Sequence, residues 1–504
     1  MLEVGNKKET GNRFQFVNKS RKGKINEVVI SCKRKEFNHH VGQSYSKFKE
    51  IPLASKGWHH KKSVGDHFVI NAFGKNPAFS SVSGVDEHSF DSLGLRKEIL
   101  TQITKVGFLK PTNIQLLAIP HVLDGKNALI TAETGNGKTL TFVAPMLQQI
   151  AKYKTSFNLL PFNSPLGLII VPGRELAEQI CSVAQSLGKE MEINVKLVTG
   201  GKTKKLTLNP KVGQVHLLVG TLGVLSKLTT SGVYDMSFVK HIVLDEADSL
   251  LDDSFNEDLL HYLQRFPIQG VASEGTTQPL GMSGVQLTLV SATMPRSLQK
   301  ILNPLIDVKT IQHISTPYLH CVMNHVPQQF FRMSYSTKAQ KLLELASRSK
   351  DKGIPMIIFC NHSRSSDWVS FYLNENGISC INLHGGMNAG LRKGRFMKFQ
   401  RGEEIALSCT DLTSRGLDTV RAGHIINFEF PTFISDYIHR CGRIGRVGSS
   451  IDGLITSLVV HRKEIETLQK IEYAARKSES FHNVNANITR ILQNHTVVRD
   501  EESY

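Results

Sequence analysis

Short runs of β-branched and aliphatic residues alternate with segments of helical periodicity along two long stretches of this chain. In the first stretch the runs that predict strands are residues 128–131, 168–171, 195–198, 217–219, 242–244 and 287–290. Apolar residues at the spacing of one helix face follow the second run, namely Leu176, Ile180, Val183 and Leu187. This alternation predicts an α/β fold in which parallel sheets are covered by helices on both faces.

The second stretch predicts another α/β domain of the same kind. Its strand candidates are residues 356–360, 380–383, 405–409, 425–428 and 453–458. The chain has 504 residues, which is too long for one hydrophobic core. We therefore predict a first domain over residues 86–315, a linker over 316–330, a second domain over 331–480 and a polar tail over 481–504.

Residues 1–85 predict a basic, poorly ordered N-terminal arm. Residues 1–66 hold 15 lysines and arginines against 6 acidic residues, and the whole chain has a net charge of +17. Such a charge is typical of proteins with a polyanionic partner, although a basic protein with a solvated tail would look the same. The basic clusters indicate either nuclear or nucleolar import or a mitochondrial presequence, and Glu3 and Glu9 weaken the second interpretation.

The composition argues against two other classes of protein. No apolar run approaches the roughly 18 residues that a membrane-spanning helix needs, so no membrane span is expected. The seven cysteines are scattered and include no Cys-x-x-Cys pair, which indicates neither a disulfide framework nor a zinc site. A reducing compartment therefore fits the chain best.

A phosphate-binding loop is predicted where a strand candidate ends and a helical pattern begins. Its residues are Ala132, Glu133, Thr134, Gly135, Asn136, Gly137, Lys138 and Thr139. The two glycines would let backbone N–H groups face phosphates at a helix N-terminus. Lys138 would contact the β- and γ-phosphates, and the Thr139 hydroxyl would ligate Mg²⁺. Ala132 stands where this pattern ordinarily has glycine, and a chance Gly-Lys-Thr sequence is the alternative.

Three carboxylates follow the predicted strand over residues 242–244, at Asp245, Glu246 and Asp248. Doubly wound sheets have their ligand sites at the carboxyl ends of strands. Asp245 would hold Mg²⁺ through water, and Glu246 would orient and deprotonate the water that attacks the γ-phosphate. The alternative is an acidic helix N-cap, since carboxylates also favour that position. Together with the phosphate loop, these carboxylates predict a site for ATP and Mg²⁺.

The two motifs together resemble the signature of the DEAD-box RNA helicases, and further family motifs follow in the family's order. The matching stretches are residues 107–115 with Phe90 upstream, 291–293, 410–418 and 439–446. The resemblance implies two tandem RecA-like domains and the activity of an ATP-dependent RNA helicase. It implies that Phe90 and Gln115 contact adenine and that Asp418 also binds ATP. The residues that it assigns to coupling between nucleotide and RNA are Asp248, Ser291, Thr293 and His439.

The resemblance identifies Arg443 and Arg446 as arginine fingers, in a different predicted domain from Lys138. Guanidinium groups suit the phosphate oxygens of a transition state. The two arginines can contact the γ-phosphate only when the domains close. If RNA spans both domains, we expect RNA to gate hydrolysis.

The resemblance assigns RNA binding to residues of both domains that would contact sugar and phosphate, which gives little sequence preference. The positions are Pro172, Arg174, Gly200, Gly201, Thr221, Asn361, His384, Gly385, Arg392 and Thr410. Three residues depart from the family pattern: Gly173 replaces a usual Thr, Leu222 a usual Pro and Val224 a usual Arg. We therefore expect weaker RNA contacts from the first domain, and we hypothesise that the basic arm compensates.

Short stretches outside these motifs resemble a mitochondrial branch of the family that is linked to assembly of the large ribosomal subunit. They are residues 52–58, 66–68, 319–321, 469–472 and 474–476. This resemblance implies ribosomal RNA as substrate, ribosome-assembly proteins as partners, and a location in mitochondrial RNA granules or the nucleolus. We predict a monomeric helicase that separates short duplexes. The alternatives are an ATP-gated RNA clamp that acts mainly by binding, and a DNA helicase, which family contacts with the 2′-OH disfavour.

Overall fold

The structure is a computed structural model, and it describes residues 28–45, 50–79, 89–156, 160–200, 207–251, 256–269, 284–293, 301–303, 305–411, 419–449, 451–481 and 484. These residues form two separate sheets, one of seven strands and one of eight. The predicted α/β fold with two RecA-like domains is confirmed. Within the described parts of the chain, no helix combines the length and hydropathy that crossing a bilayer requires.

The strands in chain order are β1 Ile30–Cys32, β2 His67–Ile70, β3 Ala128–Thr131, β4 Gly167–Val171, β5 Val195–Val198, β6 Leu217–Thr221, β7 His241–Asp245, β8 Gln286–Ser291, β9 Gln312–Ser315, β10 Gln328–Arg332, β11 Met356–Cys360, β12 Cys380–Leu383, β13 Ala406–Thr410, β14 His424–Asn427 and β15 Leu454–Val459. The helices in chain order are α1 Lys97–Lys105, α2 Asn113–Leu123, α3 Lys138–Ser156, α4 Arg174–Gly188, α5 Leu222–Thr230, α6 Ala247–Leu250, α7 Asn256–Leu263, α8 Lys338–Asp351, α9 Ser363–Glu375, α10 Ala389–Arg401, α11 Ile434–Cys441 and α12 Arg462–Lys477.

The first sheet has the strand order β5-β6-β4-β7-β8-β3-β9, and all of its pairs are parallel. Side chains alternate between its two faces, as the short period of a strand requires. In β4, Ile169 packs in the core that α3 and α4 share, whereas Leu168 and Ile170 pack in the core shared with α5 and α7. Because β7, β8 and β3 are neighbours, the loops at their carboxyl ends meet at one edge of the sheet.

The second sheet has the order β1-β2-β10-β15-β14-β11-β13-β12. The pairs from β10 to β12 are parallel, and β1 and β2 add an antiparallel extension at the β10 edge. Met356 and Ile358 of β11 share a core with α8 and α9, while Ile357 and Phe359 share the opposite core with α11 and α12. This domain is therefore also a sheet between two helical layers.

The expectation of a poorly ordered N-terminal arm is wrong for residues 28–45 and 50–79, because this segment contains β1 and β2, which extend the second sheet. β2 pairs with β10 and brings Phe68 and Ile70 into the core, where both are fully buried. The Trp58 ring packs against Phe68, with centroids 5.6 Å apart. This strand could not be recognised within the basic composition of the segment, since β2 has only four residues and only alternate side chains are buried.

Two predicted boundaries also differ from the structure. β10 begins at Gln328, inside the predicted linker, and it opens with two glutamines that break any apolar run. Phe481, at the start of the predicted polar tail, is buried in the core of the second sheet. Residues 1–27, 46–49 and 80–85 of the predicted arm and residues 482–483 and 485–504 of the predicted tail lie outside the described residues, and the other domain boundaries stay predictions.

Candidate functional site

The loop between β3 and α3 has the geometry that the sequence predicts for a phosphate-binding loop. β3 ends at Thr131 and α3 begins at Lys138, so the loop opens a helix of 19 residues. Gly135 and Gly137 have φ angles of 86° and 73°, in the left-handed region that favours glycine. The loop therefore lies at the positive end of a long helix dipole, where anions bind.

The Lys138 ammonium is hydrogen-bonded to the loop itself. Its Nζ donates to the carbonyl oxygens of Ala132 at 2.7 Å and Glu133 at 2.9 Å. Burial lowers the pKa of Lys138 to about 8, and the carboxylate of Asp245 opposes that shift. Ionised phosphate oxygens are stronger acceptors than carbonyl oxygens, so a bound triphosphate would compete well for this donor.

Two carboxylates lie at the end of β7, close enough to Lys138 to influence its charge. Burial, and then the neighbouring Glu246 carboxylate, raise the pKa of Asp245 to about 7. Glu246 has a φ of 51°, a strained conformation for a residue other than glycine. Its Oε2 is buried and has no hydrogen-bond partner within the described part of the chain. Such an undercompensated pair of carboxylates fits a hydrated divalent cation, and Thr139, the second residue of α3, stays a predicted ligand.

One carboxylate oxygen joins the two domains behind this site. Asp248 Oδ2 accepts from Thr293 Oγ1 at 2.5 Å and from Thr293 N at 3.1 Å, and it lies 3.1 Å from His439 Nε2. Ser291 Oγ donates to Thr293 O at 2.5 Å, which holds the turn after β8. Asp248 and His439 are both buried. The four residues predicted to couple nucleotide and RNA are therefore in one contiguous cluster.

The two predicted arginine fingers follow α11 and approach the first domain. Arg443 Nη2 lies 3.7 Å from Glu246 Oε1, and both side chains are largely buried. Arg446 Nε donates to Gly442 O at 3.0 Å. A Cβ atom added to Gly442 would lie 1.4 Å from Thr134 Oγ1, so this motif packs directly on the phosphate-binding loop. The two domains are closed on each other at this point.

The amide of Gln115 contacts the same loop from the other side. Its Oε1 accepts from Thr112 N at 2.9 Å, and its Nε2 donates to Gly137 O at 2.9 Å. The Thr112 hydroxyl donates to Asn136 O at 2.9 Å. This capping box at the start of α2 thus ties the region of the predicted adenine contact to the phosphate loop. Phe90 is a buried residue of a short 3-10 helix, and the adenine contacts themselves stay predictions.

The predicted RNA positions of the first domain follow three neighbouring strands. Pro172 follows β4, Arg174 begins α4, Gly200 follows β5, and Thr221 ends β6. The guanidinium of Arg174 packs on Gly200, because a Cβ atom added there would lie 2.3 Å from Arg174 Nη2. Gly201 lies outside the described residues, and so does Asp418 of the predicted ATP contacts.

Replacing Gly200 by alanine is expected to weaken RNA binding about tenfold, or about 1.4 kcal/mol. The added methyl group would displace the Arg174 guanidinium from the place where it is predicted to contact an RNA phosphate. Fluorescence anisotropy with a labelled single-stranded RNA measures this loss. Gly213→Ala is the matched control, because a Cβ atom there meets nothing within 4 Å. Equal RNA affinity of the two variants would contradict the assignment of Arg174.

In the second domain the predicted RNA positions lie at one edge of the sheet. Asn361 follows β11, His384 and Gly385 follow β12, and Thr410 ends β13, and these three strands are neighbours. His384 Nε2 lies 2.8 Å from Asp367 Oδ1.

Sequence reasoning assigned no role to Arg440, which organises this edge. Its guanidinium is fully buried and binds both carboxylate oxygens of Asp411 at 2.6 Å. The same group donates to Asn361 Oδ1 and to Glu429 O, each at 2.6 Å. The only signal was its place beside His439 in a basic motif, and burial was not apparent from the sequence.

Two further contacts of the closed domains involve residues that the sequence did not pair. Arg392 Nε lies 3.4 Å from Glu175 Oε1, and Lys393 Nζ lies 2.6 Å from Glu178 Oε2. These pairs join α10 of the second domain to α4 of the first. Arg392, predicted to bind RNA, is therefore paired with a carboxylate in this structure.

Comparisons with known proteins agree with this arrangement. The family model described as DEAD/DEAH box helicase matches residues 112–301, and that described as helicase conserved C-terminal domain matches residues 337–448. The probable ATP-dependent RNA helicase DDX28 of Mus musculus is 36% identical over 466 residues, which cover 90% of this chain and 85% of that protein. DEAD-box ATP-dependent RNA helicase 39 of Arabidopsis thaliana is 32% identical, over 82% of this chain and 67% of that protein.

Solved structures share the fold. S. cerevisiae Dbp5 bound to RNA and ADP BeF3 superposes with a TM-score of 0.63 at 24% identity, over 78% of this chain and 94% of that one. Mss116p bound to ssRNA and AMP-PNP gives a TM-score of 0.65 at 22% identity, over 81% of both chains. At this level of identity the likeness concerns the fold alone.

Proposed function

Because the chain belongs to the DEAD-box family of ATP-dependent RNA helicases, we propose that RNA gates its hydrolysis of ATP by closing the two RecA-like domains. The observation that carries this proposal is the junction at Asp248, where Thr293 of the first domain and His439 of the second meet one carboxylate oxygen. His439 also accepts from Arg443 Nε at 3.3 Å through its backbone carbonyl. This hydrogen bond links the junction at Asp248 to Arg443, whose guanidinium lies near Glu246.

Each residue at the phosphate end of the site has one task in this proposal. Lys138 neutralises charge on the β- and γ-phosphates. Thr139 and Asp245 hold Mg²⁺, which when bound screens the phosphate charge and orients the triphosphate. Glu246 orients the attacking water and accepts its proton, for which its unpartnered Oε2 is available.

The remaining residues select the nucleotide and complete the site on closure. Phe90 and Gln115 contact adenine, and Asp418 binds ATP from the second domain. Arg443 and Arg446 stabilise charge on the transferred phosphoryl group, and they do so only in the closed state. Closure bends one RNA strand and separates a short duplex, and hydrolysis then releases the RNA.

The natural substrate in this proposal is ribosomal RNA of the mitochondrial large subunit, bound with little sequence preference and in contact with ribosome-assembly proteins. Support comes from the stretches at residues 52–58 and 469–476 that resemble the mitochondrial branch of the family. The nucleolus is the alternative location. The strongly basic first 66 residues suit a polyanionic partner in either place.

The first test compares hydrolysis by purified wild type and Lys138→Ala, with and without single-stranded RNA. We expect RNA to stimulate the wild type and the variant to lose that stimulated rate. Lys154→Ala is the matched control, because Lys154 lies in the last turn of the same helix, where its ammonium contacts backbone oxygens of residues 191–192 and the exposed carboxylate of Glu192. A hydrolysis rate that is the same with and without RNA, or an RNA-stimulated rate that Lys138→Ala leaves unchanged, would overturn the proposal.

Glu246→Gln separates the helicase from an RNA clamp. This variant is expected to bind RNA in the presence of ATP without releasing it, so crosslinking in cells followed by sequencing identifies the natural RNA. Recovery of mitochondrial large-subunit ribosomal RNA supports the proposed substrate, and recovery of nuclear transcripts overturns it. If the protein acts as a clamp, the Glu246→Gln variant should still support ribosome assembly. If it acts as a helicase, the variant should not support assembly.

A further inference from the structure

The chain passes between its two domains twice, and the first passage lies against the catalytic cleft. Residues 28–70 belong to the second domain, because β1 and β2 extend its sheet. The chain then enters the first domain by residue 90 and returns to the second after β9. We call residues 71–79 the strap. Its Phe73 and Gly74 N–H groups donate to Asn324 O, at 2.8 Å and 3.0 Å, so the strap runs along the returning segment.

The strap contacts the loop that carries the two arginine fingers. Asn76 Nδ2 donates to Gly445 O at 2.9 Å, and His325 Nε2 lies 2.9 Å from the same oxygen. Gly445 stands between Arg443 and Arg446, and it has a φ of 64°. A Cβ atom added to it would lie 2.5 Å from His325 Nε2. The Gly445 peptide is therefore held between two side chains that come from outside the arginine motif.

The orientation of the Asn76 amide is determined by a second hydrogen bond. Its Oδ1 accepts from Ala78 N at 3.0 Å, which directs the Nδ2 group towards Gly445. One residue further along, Pro77 O accepts from Asn113 Nδ2 at 2.9 Å. Asn113 is the first residue of α2, the helix whose Gln115 contacts the phosphate-binding loop. The strap thus has contacts with both halves of the nucleotide site.

We propose that Asn76 is a positioning residue for Arg443 and Arg446, acting through the Gly445 carbonyl. A peptide whose carbonyl is fixed by two partners cannot tilt freely, and the guanidinium groups on either side move with it. Displacements of about 1 Å in such groups can cost about 10²-fold in rate. This inference rests on the proposed function, in which the two arginines act on the γ-phosphate.

The test uses RNA-stimulated ATP hydrolysis by the full chain. Asn76→Ala is expected to lower kcat about tenfold, the equivalent of one net hydrogen bond, while KM for ATP and the affinity for RNA change less than about twofold. Asn71→Ala is the matched control, because Asn71 lies in the same strap and its side chain donates to Val29 O and Ser31 Oγ, both at 3.1 Å. Its kcat should equal that of the wild type.

A double mutant distinguishes positioning from a general effect on stability. When Arg446→Ala is already present, Asn76→Ala should cause a smaller further loss than it causes in the wild type, because one of the two groups that it positions is gone. Additive losses, or equal losses in the two strap variants, would overturn the proposal. If Asn76→Ala fails to fold, Asn76→Ser serves instead, since serine can keep the bond from Ala78 N and is too short to contact Gly445.

The experiment also separates this proposal from the function on which it rests. If Arg446→Ala and Arg443→Ala leave hydrolysis unchanged, the arginines are not fingers and both ideas fail. If those variants lose activity and Asn76→Ala retains full kcat, only the positioning role fails.

Discussion

Replacing Arg443 by alanine is expected to lower RNA-stimulated turnover by about 10³-fold or more, the range measured for arginine fingers. Arg443 Nη2 lies 3.7 Å from Glu246 Oε1, the carboxylate that is proposed to orient the attacking water. Its side chain is only 5% exposed, so the charge acts in a region that largely excludes water. Steady-state hydrolysis at saturating RNA measures kcat, and ATP binding should be much less affected.

Two further variants make this expectation specific. Arg443→Lys keeps the charge but loses the planar fork, so it should recover only part of the lost rate. Arg462→Ala is the control, because Arg462 is an exposed arginine of the same domain that pairs with Glu466 at 3.7 Å. A kcat for Arg443→Ala within tenfold of the wild type would mean that this guanidinium does not act on the reacting phosphate.

The second large effect concerns the free energy of unfolding of the second domain. Glu472→Ala is expected to reduce it by about 3–5 kcal/mol, because removal of one partner leaves a buried charge uncompensated. Glu472 and Arg476 are fully buried, with Glu472 Oε1 2.7 Å from Arg476 Nη2. Glu472 also accepts from the N–H groups of Ala54 and Ser55, and from Ser55 Oγ at 2.6 Å. The substitution therefore also leaves buried donors of the N-terminal segment without an acceptor.

Chemical denaturation followed by tryptophan fluorescence measures this change, since Trp58 is buried in the same core. Glu466→Ala is the matched control on the same helix, because its carboxylate is exposed and its pair with Arg462 contributes at most about 1 kcal/mol. A loss below 1 kcal/mol for Glu472→Ala would show that residues 54–55 are not anchored by this carboxylate in solution.

Local sequence patterns were sufficient for the central strands and for the geometry of the loop at the predicted nucleotide site. The runs at 128–131 and 195–198 form strands with the predicted bounds, because each is apolar or β-branched enough to define its own conformation. The phosphate loop was equally predictable, since two glycines, a lysine and a helix start are adjacent in the chain. The three carboxylates at the end of β7 and just after it were predictable for the same reason, because they are adjacent to an apolar run.

Short strands at the edge of the second sheet could not be predicted in this way. His67 and Val69 of β2 are only partly buried, and the surrounding residues are basic, so nothing local distinguished the segment from a solvated arm. Its burial depends on pairing with β10, which begins far along the chain. Likewise, the buried guanidinium of Arg440 depends on Asp411 and Asn361, which follow two different strands of the sheet.

The sequence by itself determined the fold class, the family and the residues that are predicted to bind phosphate and Mg²⁺, because these depend on neighbours within a few positions. The tertiary structure decided which residues stand between the domains. It brought His439 to Asp248, 191 positions apart, and Asn76 to Gly445, 369 positions apart. Contacts over such separations depend on how every buried strand and helix packs. No local pattern in the chain encodes them, and only the folded molecule reveals that the N-terminal segment lies beside the predicted arginine fingers.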